Sequence, residues 1–156
     1  MVLYLIQHGE AKSKQEDPER PLTDKGAKNI KKTAAFFKEL KREIGLIWHS
    51  GKKRAEQTAE ILKETLGADV QMETCEGLAP NDDISIIIQK IETADQDSII
   101  LVGHLPHLSR LASRLLAGNQ KIEIIRFKNA GILCLSGENQ DWELEWMITP
   151  GIILEK

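Results

Sequence analysis

Three apolar runs, Val2 to Ile6, Leu46 to Trp48 and Ser98 to Val102, constrain this chain more than any other feature. A strand with one wet face alternates apolar and polar residues, so an unbroken apolar run marks a strand covered on both faces, the pattern of a parallel sheet. Each run stops at a polar turn: Gln7-His8-Gly9-Glu10, His49-Ser50-Gly51 and Gly103-His104. Helical spacing comes after each turn. Strand, polar turn and helix, repeated three times, predict a three-layer α/β/α sandwich around a mostly parallel sheet, whose strand C-termini converge on one crevice.

The helices are read from spacing and punctuation. After a charged loop from Ala11 to Pro21, Thr23 caps a helix expected to reach about Arg42, with Ala27, Ile30, Ala34, Phe37 and Lys41 on one stripe. Lysines 28, 31, 32, 38 and 41 are expected to form a solvated face. A second helix is predicted over Lys53 to Leu66, burying Ala55, Ala59, Leu62 and Leu66 and stopping at Gly67. A strand at Val70 to Thr74 and a helix near Asp82 to Glu92 come next, and Pro106 suits the first position of another helix. Ile122 to Phe127, Gly131 to Leu135 and Trp142 to Ile148 read as strands of an antiparallel C-terminal edge, with Trp142 and Trp146 on one face.

At 156 residues the whole chain, 1–156, is expected to form one domain. With 41% apolar and 29% charged residues, the composition is that of an ordinary globular protein. The net charge of −3 argues against broad nucleic-acid binding, which needs a surplus of Lys and Arg. Cys75 and Cys134 fit no metal or disulfide spacing and are read as reduced packing residues. The first apolar run is too short for a signal sequence or a membrane span, so a cytoplasmic protein with no membrane partner is expected.

Chemistry gathers at the strand ends. His8, Arg54 in the first turn of the second helix, and His104 all fall there, and a cation at a helix start opposes the helix dipole unless an anion compensates. His49 and His107 carry no motif role and are expected at surface or capping positions. A His104/His107 metal pair lacks a third ligand at matching spacing, so no metal or cofactor is expected.

Four segments in register resemble the histidine phosphatase superfamily, the phosphoglycerate-mutase-like fold, and within it the short SixA-type phosphohistidine phosphatases. Leu5-Ile6-Gln7-His8-Gly9-Glu10-Ala11 is similar to the strand and Arg-His-Gly of that family. Arg20-Pro21-Leu22-Thr23-Asp24-Lys25-Gly26 is similar to its Pro-Leu-Thr-x-x-Gly. Ser50 to Ala59 resembles its Ser-Pro-x-x-Arg-Ala-x-Gln-Thr helix start, and Val102-Gly103-His104-Leu105-Pro106 its Gly-His element.

The resemblance implies a metal-independent phosphatase that forms phosphohistidine on His8. Arg54 would grip phosphoryl oxygens in a fork, a protonated His104 would donate to the same oxygens, and Gln7 and Gly9 would complete the substrate site. Glu76 is the choice for a general acid, with Asp82 and Asp83 in the same stretch. The short chain leaves little sequence for a lid, and an open pocket suits a phosphohistidine carried by a signalling or phosphocarrier protein. A small phosphoester substrate remains the alternative, and a mutase is disfavoured because keeping the phosphoryl group requires closure against water. Oligomeric state is not readable.

The sequence departs from the family in two places. Gln7 stands where the family has arginine, removing a charge that Lys12, Lys14, Arg20, Lys52 or Lys53 would have to supply. The same loss motivates a rival reading, a non-catalytic phosphoprotein-binding domain. Gly51 replaces a proline, a change expected only to loosen the turn.

Overall fold

The computed structural model describes residues 1–155. Its elements are β1 (Val2–Gln7), α1 (Asp24–Glu39), β2 (Leu46–His49), α2 (Lys53–Leu66), β3 (Gln71–Thr74), α3 (Ile84–Thr93), β4 (Ser98–Gly103), α4 (His107–Ala117), β5 (Ile132–Glu138) and β6 (Asp141–Ile148), followed by a 3-10 turn at Pro150–Ile152. One sheet holds all six strands in the order β3-β2-β4-β1-β5-β6. The first four strands are mutually parallel, and β5 and β6 add the antiparallel edge.

The apolar runs occupy the middle of the sheet because both of their faces are covered. Leu3, Leu5, Ile99 and Leu101 pack toward Ile84, Ile87 and Ile91 of α3 and Leu108, Leu111 and Ala112 of α4. Tyr4, Ile6, Ile100 and Val102 point the other way, onto Ala34 and Phe37 of α1 and Ala55, Ala59 and Leu62 of α2. Burying each such side chain contributes about 1.5–3 kcal/mol, which is why no polar residue interrupts these strands. Both cysteines are free and buried, Cys75 on one face and Cys134 on the other.

The helix ends are set by their caps. The Thr23 hydroxyl accepts from the Gly26 amide, and the Asp83 carboxylate accepts from the Ser85 amide. The first helix stops at Glu39, short of Arg42, and Pro106 sits at the N-cap of α4, one position before its first turn.

Two expectations for the tail need correction. Ile122 to Phe127 is not a strand: this connection joins α4 to β5 without pairing to any strand of the sheet. Ile122 and Ile124 are left exposed and only Phe127 is buried. Trp142 and Trp146 do not share a face. An irregularity beside Cys134 and Leu135 inserts one extra residue into β6, and the side chains on its two sides therefore face opposite ways. Trp142 packs in the α3/α4 layer, and Trp146 lies on the other side, 6.1 Å from the Tyr4 ring.

Candidate active site

The register of the parallel strands builds the floor of the site. Gln7 is paired with Gly103, so His8 and His104, each one residue further along, lie side by side. Their ring centroids are 4.9 Å apart, about one inter-strand spacing. On the other side of β4, His49 is paired with Val102, which puts Ser50 next to the same position. The Ser50 hydroxyl lies 2.6 Å from Nε2 of His104.

Close approach of β1 and α1 depends on two glycines. A Cβ at Gly9 would stand 3.0 Å from both the Gly26 carbonyl and Ile30, and one at Gly26 would collide with the Glu10 carbonyl. The Gly9 amide donates to the Thr58 hydroxyl at 3.0 Å, and that hydroxyl donates to the Arg54 carbonyl at 2.8 Å. One buried threonine therefore ties the turn after β1 to the helix that carries Arg54. From the opposite side, the Asn129 side-chain amide donates to the His8 carbonyl at 2.9 Å, and the Ala130 amide to the Gln7 carbonyl at 2.9 Å.

His8 is held in one tautomer. Its Nδ1 lies 2.7 Å from the Gly9 carbonyl, which can only accept, so Nδ1 carries the proton and Nε2 keeps its lone pair. Burial pushes the His8 pKa down to about 4, with the Arg54 and Arg20 charges acting in the same direction and the Gly9 carbonyl opposing. His104 is pushed to about 3, first by burial and then by His8, Arg54 and Lys52. Both rings are neutral at neutral pH. Burial and the neighbouring cations thus oppose the protonated His104 expected from the sequence. A phosphoryl anion placed there would act in the opposite direction.

Arg54 is half-buried, its Nε has no partner, and burial together with Arg20 lowers its pKa. Gln7 presents a buried side-chain oxygen that is also unpartnered. Arg54 lines a cleft of about 830 Å³, together with Lys14, Arg20, Lys52, Lys53 and residues 79–82, among others. Cations beside an unprotonated imidazole nitrogen and the unsatisfied Nε–H of Arg54 can bind an oxyanion and attack it.

The acid expected at Glu76 is not brought to this cleft: Glu76 is exposed and absent from its lining. Of the alternatives, Asp82 lines the cleft, with one oxygen accepting from the Ala79 amide at 3.0 Å, whereas Asp83 caps α3. His107 also needs correction. It is buried rather than superficial, and its position four residues before Leu111 on the apolar stripe of α4 was the available signal. His49 is buried and does cap its turn, with Nδ1 accepting from the Gly51 amide. Gly51 has φ +87, which a proline cannot adopt, so the turn differs in conformation from a proline-containing one and is not merely looser. Sequence reasoning assigned no role to Ser50, Thr58 or Asn129. The first two lie inside a recognised segment, but only the three-dimensional register shows what they touch.

Among the described residues, no group of three or more His, Cys, Asp or Glu is arranged to hold a metal ion, and no helix is long and apolar enough to cross a membrane.

Comparison with known proteins places this site in context. The family model for the histidine phosphatase superfamily (branch 1) matches residues 3–80. An uncharacterised protein of Picosynechococcus sp. is 35% identical over 142 residues, covering 86% of this chain and 84% of that protein. The phosphohistidine phosphatase SixA of Escherichia coli K12 is 29% identical over 122 residues, 76% of each chain. Among solved structures, the protein histidine phosphatase SixA complexed with tungstate superposes with a TM-score of 0.85 at 25% identity, covering 97% of this chain and 98% of the other.

Proposed function

The chain belongs to the histidine phosphatase superfamily, and on that premise we propose that it hydrolyses phosphohistidine in a signalling or phosphocarrier protein through a phosphoryl intermediate on His8. The observation that carries this reading is the Nδ1 to Gly9 carbonyl contact of 2.7 Å, which leaves Nε2 of His8 as a neutral nucleophile. In the first step Nε2 attacks phosphorus, a P–Nε2 bond forms, and the bond from phosphorus to the substrate imidazole breaks, that ring, already protonated on its other nitrogen, leaving as neutral imidazole. In the second step water attacks the phosphohistidine, releasing inorganic phosphate and regenerating His8. Arg54 takes the charge spread over the equatorial oxygens, and His104 supplies a further hydrogen bond to them.

Two observations favour a protein-borne substrate over a small phosphoester. The cleft is broad and open, with exposed lysines on its rim, so it can admit a side chain presented on a folded surface. The similarity to the phosphohistidine phosphatase SixA points to the same substrate class. A good imidazole leaving group, already protonated on its other nitrogen, also lessens the need for a general acid, in keeping with the exposed position of Glu76.

The test is phosphate release from a phosphohistidine-bearing protein and from p-nitrophenyl phosphate, with wild type and His8→Ala, in the presence and absence of EDTA. The reading expects turnover that His8→Ala abolishes and EDTA leaves unchanged, with the protein substrate preferred. Preference for p-nitrophenyl phosphate would assign a small phosphoester substrate. Tight phosphate binding without turnover would make the domain a phosphoprotein binder.

A further inference from the structure

We propose that the groove beside His104, lined by Leu105, Pro106, Arg110 and Lys121 and bordered by Ile122 and Ile124, is where the phosphohistidine-bearing protein docks, and that this partner presents an apolar patch edged with carboxylates next to its phosphorylated histidine. The inference rests on the phosphatase reading above and names the surface that recognises the protein part of its substrate.

The groove adjoins the chemistry through the chain itself. Leu105 follows His104 directly and is 40% exposed, so the turn that carries a site histidine also offers an apolar side chain to solvent. With Pro106 and Arg110 it lines a groove of about 640 Å³, together with Lys121 and Glu123 of the connection from α4 to β5. That connection is held down along its length. Ile125 and Phe127 pack into the layer of α3 and α4. Further on, the Asn129 side-chain amide donates to the His8 carbonyl and the Ala130 amide to the Gln7 carbonyl, each at 2.9 Å, while the Thr33 hydroxyl donates to the Ala130 carbonyl at 2.8 Å. The segment bordering the groove therefore ends on the strand end that bears the nucleophile, and groove and nucleophile keep a fixed relation.

Two features say what the groove fits. The first is apolar: Ile122 is 49% and Ile124 44% exposed, although Ile125 and Phe127 of the same stretch are drawn into the core. Aliphatic side chains left in water around a groove with a charged rim match a protein interface, which has an apolar centre inside a polar border. The second is charge. Arg110 and Lys121 line the groove, Arg126 and Lys128 are exposed further along, and Glu123 is the lone carboxylate of the stretch 118–131. The cleft that begins at Gly51, next to the Ser50 that touches His104, carries five cations against three carboxylates. A chain of net charge −3 thus gathers positive charge around its site, and a partner of matching potential is acidic there.

The experiment compares kcat/KM for a histidine-phosphorylated phosphocarrier protein with kcat/KM for the free amino acid phosphohistidine. The two substrates share a leaving group, so a difference between them reports docking and not chemistry. The variants are Ile122→Ser/Ile124→Ser, Lys121→Glu/Lys128→Glu and, as a control, Leu144→Ser, which changes an exposed apolar residue on the edge strand β6. The isoleucine double variant should lower kcat/KM for the protein by about tenfold to a hundredfold, the loss of an apolar anchor, and leave the free amino acid unaffected. The lysine double variant should lower it by about threefold to tenfold at low salt and lose that effect at high salt. Leu144→Ser should change neither substrate. Equal losses on both substrates, full activity of the isoleucine variant on the protein, or a wild type that hydrolyses the protein no better than the free amino acid would each overturn the proposal. A wild type inactive on both would instead overturn the phosphatase reading itself, carrying this inference with it.

Discussion

The floor of the site and the walls of the cleft beside it are built on different principles. The floor, formed by the ends of β1, β2 and β4, is positioned by strand register, with one residue past the Gln7–Gly103 pair fixing both His8 and His104. The walls, residues 11–22 and 79–82, are positioned by individual tethers such as Leu22 to Gln57 and Ala79 to Asp82. A floor made by register inherits the stability of the whole sheet. A wall made of tethers can change residue by residue while the floor stays in place.

The difference is open to experiment, beginning with acid. The floor holds His8, His49 and His104 and α4 adds His107, and all four have lowered pKa values, His8 to about 4 and His104 to about 3, with burial the leading cause for each. Between the unfolded value near 6.5 and these folded values, the unfolded chain binds more protons, so stability present at pH 7 is lost as pH falls through this window. At ~1.4 kcal/mol per unit of depression, the loss should reach a few kcal/mol by about pH 4. Urea midpoints measured from pH 7 to pH 4 should fall steadily, and a flat profile would mean that the floor is not desolvated as described.

Thr58→Val should come next. It leaves the Gly9 amide without its buried acceptor, at a cost of about 1–3 kcal/mol, and it loosens the link between the turn bearing His8 and the helix bearing Arg54. A lower thermal midpoint together with reduced kcat is expected. An unchanged midpoint would remove Thr58 from the framework of the floor. The smallest effect belongs to Glu76→Gln, which should alter stability by no more than ~0.5 kcal/mol and kcat/KM by less than about threefold, because the side chain is exposed outside the cleft. A large loss of activity there would restore Glu76 as the acid and place that wall closer to the chemistry than its geometry implies.

The same division explains what could be read from the sequence. Burial on both faces leaves a periodic trace, so the three apolar runs located the central strands, and the polar residues ending them located His8, Arg54 and His104. Nothing periodic marks the stretch from Cys75 to Asp83, where Asp82 turns back on Ala79 and Asp83 caps α3; choosing Glu76 there relied on order along the chain alone. Ile122 to Phe127 has the composition of a strand, but whether a strand forms depends on where the connection runs relative to a sheet edge, a property of the whole fold. The positive φ of Gly51 and the neutral state of His104 depend likewise on neighbours that spacing does not reveal.

The extra residue in β6 has a consequence for life in a concentrated solution. β6 is the outermost strand, and an outermost strand offers unpaired amides and carbonyls on which another chain could extend the sheet. The bulge bends this rim, and the exposed carboxylates of Asp141, Glu143 and Glu145 line it with like charge. A second molecule approaching edge to edge would meet both a mismatched ladder and electrostatic repulsion, so the irregularity that sends two tryptophans to opposite faces also guards the protein against fibrous self-association.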